Sequence, residues 1–149
     1  MKDFYILNKS DNPTPKYETQ GSAGFDIRAN DNYFIEPGET ILIGTGLHFI
    51  VPENHEAQIR IRSSIALEGL CITNSPGTID CDYRGEVKVI MHNLSKCTIV
   101  VEGGMRIAQV VLNKLPHPNL RNIRDISEGG YRLLTTDRGA GGFGSTGKN

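Results

Sequence analysis

Apolar residues in this chain recur in short runs with a period of two, and turn signals break the runs. Residues 4–7 are apolar and predict a first strand. Residues 8–19 are polar, carry Pro13 and Pro15, and predict a loop. Phe25 and Ile27 then alternate with Asp26 and Arg28, as on a half-buried strand. The turn Glu36-Pro37-Gly38-Glu39, with proline at its second position, separates strands over 33–35 and 40–43. Gly44-Thr45-Gly46 punctuates before another strand over 47–51, and Pro52-Glu53-Asn54 turns into the clean alternation of 57–62. Strands are also predicted over 71–74, 87–92, 98–101 and 105–112, with a last one over 119–126. So many short strands at close spacing predict an all-β barrel or sandwich. Residues 63–70 depart from this period. Ser63 and Ser64 are N-cap residue types, good helix formers follow, and Gly69 stops the run, so one short helix is predicted.

The stretch over residues 76–86 organises the rest. After the turn dipeptide Pro76-Gly77, Ile79 and Cys81 alternate with Asp80 and Asp82. Extended alternation puts both carboxylates on one face. Tyr83 continues the apolar phase, Arg84-Gly85 ends it, and the strand over 87–92 follows at once, predicting a hairpin-like pair. The residues alone fit either a chemically active acidic face or an edge strand with a solvated one.

Bulk composition narrows the partners. With 149 residues the chain is one domain with a core of useful size. Sixteen basic against seventeen acidic residues give a net charge of -1, which argues against a general nucleic-acid or membrane surface. No apolar run has the length of a membrane span, and the first residues lack the apolar core of a signal peptide. Cys71, Cys81 and Cys97 form neither an even set nor a CxxC pair and read as buried thiols in a reducing, cytoplasmic setting. The four histidines show no metal-ligand spacing.

Three places concentrate chemistry. Arg62-Ser63-Ser64 lies where a strand ends and the helix starts. A guanidinium, hydroxyls and helix-start amides there suit a phosphate, or form a plain capping pair beside a surface arginine. Gln109 is an amide inside an apolar run and needs a hydrogen-bond partner in backbone or ligand. From Ser127 the chain is polar and glycine-rich, and residues 138–147 set Arg138, Phe143, Ser145 and Thr146 among glycines. A linker explains the glycines. A segment closing on a phosphate and stacking on a base explains the other four as well. The organisation expected is a β-barrel domain over 1–126 and a flexible arm over 127–149 that closes over an active site.

Five motifs in order then make the chain resemble the homotrimeric deoxyuridine triphosphate nucleotidohydrolases, the dUTPases. They are Ala23-Gly24-Phe25-Asp26-Ile27-Arg28-Ala29, Arg62-Ser63-Ser64-Ile65-Ala66, residues 77–86, Gly104-Met105-Arg106-Ile107-Ala108-Gln109, and residues 138–147. The resemblance implies a jelly-roll-like β-barrel, three subunits with active sites shared between them, and Mg²⁺ on the triphosphate. It implies hydrolysis of dUTP to dUMP and pyrophosphate, which limits uracil incorporation into DNA and supplies dUMP for dTTP synthesis. In that picture Asp80 matches the general base, Tyr83 the ring packed on deoxyribose, and Asn74 an amide that helps read uracil. Arg62, Ser63, Ser64 and Gln109 match phosphate contacts. Phe143 matches the ring stacked on uracil, and Arg138, Ser145 and Thr146 the γ-phosphate clamp. Asp26 matches an acid that orients metal-bound water or neighbouring side chains.

The chemistry agrees with the resemblance. Arginines, helix-start amides and a glycine nest are donors for a triphosphate, and Mg²⁺ binds chiefly through phosphates and retained waters. Deoxycytidine triphosphate deaminase shares the fold and an Arg-Ser-Ser motif, but the Asp80–Tyr83 pair and the Phe143 tail favour hydrolysis. A non-catalytic regulator on the same fold would lack the base or the clamp, and both are present.

Overall fold

The computed structural model describes residues 3–121 and residue 136. The chain divides after Pro116, and the first unit, residues 1–116, holds every strand and helix among the described residues. Ten strands and one helix follow one another as β1 (Tyr5–Asn8), β2 (Phe25–Arg28), β3 (Tyr33–Ile35), β4 (Thr40–Ile50), β5 (His55–Ile61), α1 (Ser63–Leu67), β6 (Leu70–Ile72), β7 (Gly77–Ile79), β8 (Val87–Asn93), β9 (Ile99–Val101) and β10 (Arg106–Lys114).

Two four-stranded antiparallel sheets, ordered β1-β4-β8-β6 and β2-β10-β5-β7, carry the fold, and β3 pairs with β9 in a small third sheet. Inward residues of all three join one buried cluster: Phe25 and Ile27 from β2, Ile59 from β5, Val110 from β10, Phe49 from β4, Val89 and Met91 from β8, Val101 from β9. The alternation read from the sequence is the alternation observed, because a pleated strand between core and solvent must bury every second side chain. Rings of Phe4, Phe25 and Phe49 meet edge-on or tilted at centroid distances of 5.0 to 6.1 Å, a geometry worth roughly 0.5–1.5 kcal/mol per pair beyond area burial. The one buried side-chain amide among the described residues, Asn93, is fully used: it donates to the carbonyls of Ile35 and Cys97, both at 2.8 Å, and accepts from the Ser95 amide at 2.8 Å. It thereby fixes the end of β8 to the start of the β3–β9 sheet.

The all-β, jelly-roll-like architecture is as expected, and the turn at residues 36–39 closes with the Glu39 amide on the Glu36 carbonyl and Gly38 at φ 76°. Several local expectations are corrected. Residues 40–50 form one strand where two were expected. Gly44-Thr45-Gly46 is a bulge: Gly44 pairs with Lys88 and Leu47 with Val87, so two residues of β4 leave the ladder, with Gly46 at φ 68°. Residues 77–92 are not a hairpin. β7 pairs with β5 in one sheet and β8 with β4 and β6 in the other. The alternation after Ile79 is a turn, with the Tyr83 amide donating to the Asp80 carbonyl at 3.2 Å. α1 is shorter than read and its N-cap is Arg62, with no side-chain cap hydrogen bond. The serine pair therefore does not cap. The cysteines are free as expected, but not buried: Cys71 and Cys81 are half-exposed and Cys97 is exposed. Residues 119–121 carry no strand, and residues 122–126 of the expected last strand lie outside the described residues.

Candidate active site

The expected site residues gather in two places. The first is a cleft of about 280 Å³ where Asn74, Asp80 and Tyr83 meet Glu86 and Lys88 beside Leu42 and Ile90. Asp80 and Tyr83 stand here because β7 ends at Ile79 and the chain folds into the turn just described. Asp80 is exposed, and Tyr83 is 42% exposed. Asn74 belongs to the turn before β7, and its amide lies against Gly77: a Cβ there would stand 3.3 Å from Asn74 Nδ2. The amide, the carboxylate and the ring thus bracket one short strand.

The second place is an open cleft of about 340 Å³ lined by Asp26, Arg62, Ser63, Ser64 and Gln109. Its parts come from β2, the end of β5, the start of α1 and the middle of β10. Gln109 sits opposite both Asp26 and Arg60 in the ladders, and its Nε2 donates to the Ile61 carbonyl at 3.3 Å. Arg62 Nε donates to Asp26 Oδ1 at 3.0 Å, and its Nη1 reaches Ser64 Oγ at 3.4 Å and the Arg106 carbonyl at 3.3 Å. The hydroxyls of Ser63 and Ser64, spared from capping, remain exposed at the cleft.

The sequence reading missed two participants. Arg106 Nη1 lies 3.5 Å from Asp26 Oδ2, so the Asp26 carboxylate faces guanidinium groups from both oxygens. Arg106 belongs to the fourth motif, and its polar position at the head of β10 was the available signal. Glu86 Oε1 accepts the amides of Gly46 at 2.9 Å and Thr45 at 3.1 Å, while Lys88 Nζ lies 3.5 Å from Oε2. Burial pushes the Glu86 carboxyl up, but the Gly46 amide, the Lys88 ammonium and the Thr45 amide outweigh burial and hold the group below its usual 4.5. Nothing local marks Glu86; the two amides it accepts lie forty and forty-one residues away. Arg138, Phe143, Ser145 and Thr146, with the expected arm over 127–149, lie outside the described residues apart from Thr136.

The spacing between the clefts constrains what one chain can do. Ile79 pairs with Ala57, so Asp80 falls at the Glu56 end of β5, while Arg62 follows the other end. Six residues of strand separate the two, roughly 20 Å at ~3.3 Å per residue.

An antiparallel barrel that displays a carboxylate–tyrosine turn and a separate arginine–serine cleft has the make-up of a phosphoanhydride hydrolase acting on a ligand with both a ring and anionic groups. Residues 10–147 match the dUTPase family model, and the chain belongs to that family. It is 43% identical to the deoxyuridine 5'-triphosphate nucleotidohydrolase of Cytophaga hutchinsonii, over 96% of this chain and 90% of that one. Among solved structures it is similar to a variant dUTPase of Staphylococcus bacteriophage 80alpha with dUpNHpp, at TM-score 0.86 and 22% identity over 99% of both chains. It is also similar to a variant dUTPase of S. aureus phage phi11 described as coordinating a structural Mg(II) ion, at TM-score 0.76 and 21% identity, over 81% of this chain and 96% of that one.

Proposed function

We propose that this chain hydrolyses dUTP to dUMP and pyrophosphate, with Asp80 as the general base. Asp80 takes a proton from water, the water oxygen bonds to the α-phosphorus, and the bond to the bridging oxygen breaks, releasing pyrophosphate. Placing such a base is worth roughly 10²–10⁴ in rate. Tyr83 packs on the deoxyribose and excludes a 2′-hydroxyl, and the Asn74 amide reads the uracil edge. Arg62, Ser63, Ser64 and Gln109 hold the phosphates, and the exposed hydroxyls beside the Arg62 guanidinium support that role. The observation that carries the reading is the gathering of Asn74, Asp80 and Tyr83 in one cleft around the end of β7.

The distance between the clefts supports an assembly in which one chain's Asp80 turn faces another's Arg62 cleft, as in a homotrimer with three shared sites. Arg138, Ser145 and Thr146 clamp the γ-phosphate and Phe143 stacks on uracil, completing the site from residues 127–149. The donor set of the second cleft, two guanidiniums, two hydroxyls and an amide around one carboxylate, suits phosphate oxygens better than a bare cation. Mg²⁺ would therefore be held chiefly through the triphosphate, with Asp26 placed to hold it through water while orienting Arg62 and Arg106. When bound, the ion neutralises phosphate charge. Three free cysteines support a reducing, cytoplasmic setting. No helix among the described residues is long and apolar enough to cross a membrane.

The test is pyrophosphate release from purified protein given dUTP, dCTP, dTTP and UTP in turn. Turnover of dUTP alone is expected; ammonia release from dCTP would replace this reading with a deaminase.

A further inference from the structure

We infer that Glu86 is the positioning residue for Tyr83 and that, together with Gly85, it sets how strongly the site prefers deoxyribose over ribose. The inference rests on the proposed role of Tyr83 at the sugar. A steric filter works only where its wall cannot retreat; a ring free by an ångström admits the hydroxyl it should exclude. Tyr83 is 42% exposed, lies in a turn and is no part of the buried cluster, so the core does not hold it. Two local restraints do. Its hydroxyl donates to the Glu86 backbone carbonyl at 3.0 Å. Its ring stands over Gly85 so closely that a Cβ at that position would collide with the hydroxyl and the ring carbons.

Glu86 is itself held from a distance. The bulge in β4 turns the amides of Thr45 and Gly46 out of the ladder, and the Glu86 carboxylate takes both. Lys88 lies beside its other oxygen. His48, further along β4, donates from Nδ1 to the Arg84 carbonyl at 3.1 Å and adds a second tie between β4 and this turn. The bulge thus reaches the sugar wall through one side chain: the β4 amides hold the Glu86 carboxylate, and the Glu86 carbonyl holds the Tyr83 hydroxyl. This explains why a bulge, and no plain strand, lies opposite the turn. Regular pairing would have spent those amides on β8.

The experiment measures kcat and KM for dUTP and UTP on wild type, Glu86→Ala, Glu86→Gln, Gly85→Ala and Tyr83→Phe, with melting temperature recorded for each. Glu86→Ala and Gly85→Ala should narrow the dUTP:UTP ratio of kcat/KM by about tenfold or more, a size a single lost wall contact can reach. KM for dUTP should rise more than kcat falls. Glu86→Gln keeps an oxygen for the two amides and should retain most of the ratio; Tyr83→Phe keeps the ring but loses the tether and should narrow it. A folded Glu86→Ala enzyme with an unchanged ratio, or one that loses kcat equally on both substrates, overturns the inference. If neither Glu86 variant folds, Gly85→Ala and Tyr83→Phe decide, and an unchanged ratio in both overturns it. Wild type that does not turn over dUTP, or does not prefer it to UTP, overturns the functional reading and this inference with it. Wild type that prefers dUTP alongside variants that keep the preference overturns the inference alone.

Discussion

Asp80, Tyr83 and Asn74 share one cleft although no two of them share a regular element. What joins them is the brevity of β7: three residues of strand put the turn before it and the turn after it within reach of one ligand. In Asp80→Asn the side chain keeps its size and hydrogen-bonding capacity but loses its proton acceptor. Turnover should fall by roughly 10²-fold or more, while a non-hydrolysable dUTP analogue binds within a few-fold of wild type by calorimetry. Turnover within tenfold of wild type would remove Asp80 from the role of base. Arg62 and Asp26 show how a residue's use depends on neighbours that the chain order hides. The sequence identified both, but the guanidinium of Arg106 on the second oxygen of Asp26 arises only from the β2–β10 ladder.

At the scale of elements, the β4 bulge and the turn over residues 80–86 form one unit clasped by the Glu86 carboxylate. The folded protein holds that carboxyl below its usual 4.5, so the deprotonated form is the one the fold favours. The resulting stability is fully present above pH 4.5 and is lost as pH falls through the lower folded value. As pH falls from about 5 to about 3, the melting temperature of wild type should therefore fall more steeply than that of Glu86→Gln, whose side chain does not titrate. Parallel curves would show that the clasp adds nothing to stability. The sequence signalled both halves of this unit, Gly44-Thr45-Gly46 as a break and Arg84-Gly85 as a stop, but not their meeting. Glycines mark where a backbone can leave a regular path; they do not say which partner its freed amides will find.

For the whole molecule, the proposed assembly, in which one chain's Asp80 turn faces another's Arg62 cleft, carries its own test. Asp80→Asn and Arg62→Ala chains should each be inactive alone. When the two are unfolded together and refolded, roughly a quarter of the sites should combine an intact Asp80 turn with an intact Arg62 cleft if cyclic assembly mixes chains at random. Activity should return in that measure, and no recovery in verified mixed oligomers would mean that each chain builds its own site. A chain ending at Asp137 should keep its oligomer mass and melting temperature, since the buried cluster among the described residues falls within residues 25–110, yet lose most turnover. Full activity of that shorter chain would remove Arg138, Phe143, Ser145 and Thr146 from the site.

The sequence by itself determined most of the strands and their buried faces, several turns, one short helix among the described residues and the order of the five motifs. These are local properties: period-two burial, glycine and proline backbone preferences, and spacing within a few residues. Tertiary structure alone decided which strands pair. It sent β7 and β8, adjacent in the chain and alike in pattern, to different sheets, because β8 finds a longer ladder between β4 and β6 than β7 could offer. It also decided that β4 continues through its glycines, that Ser63 and Ser64 make no cap hydrogen bond, and that Glu86 and Arg106 come to lie beside the expected site residues. Each of these depends on contacts between residues tens of positions apart, whose register is set by packing the common core and not by any preference of the residues themselves.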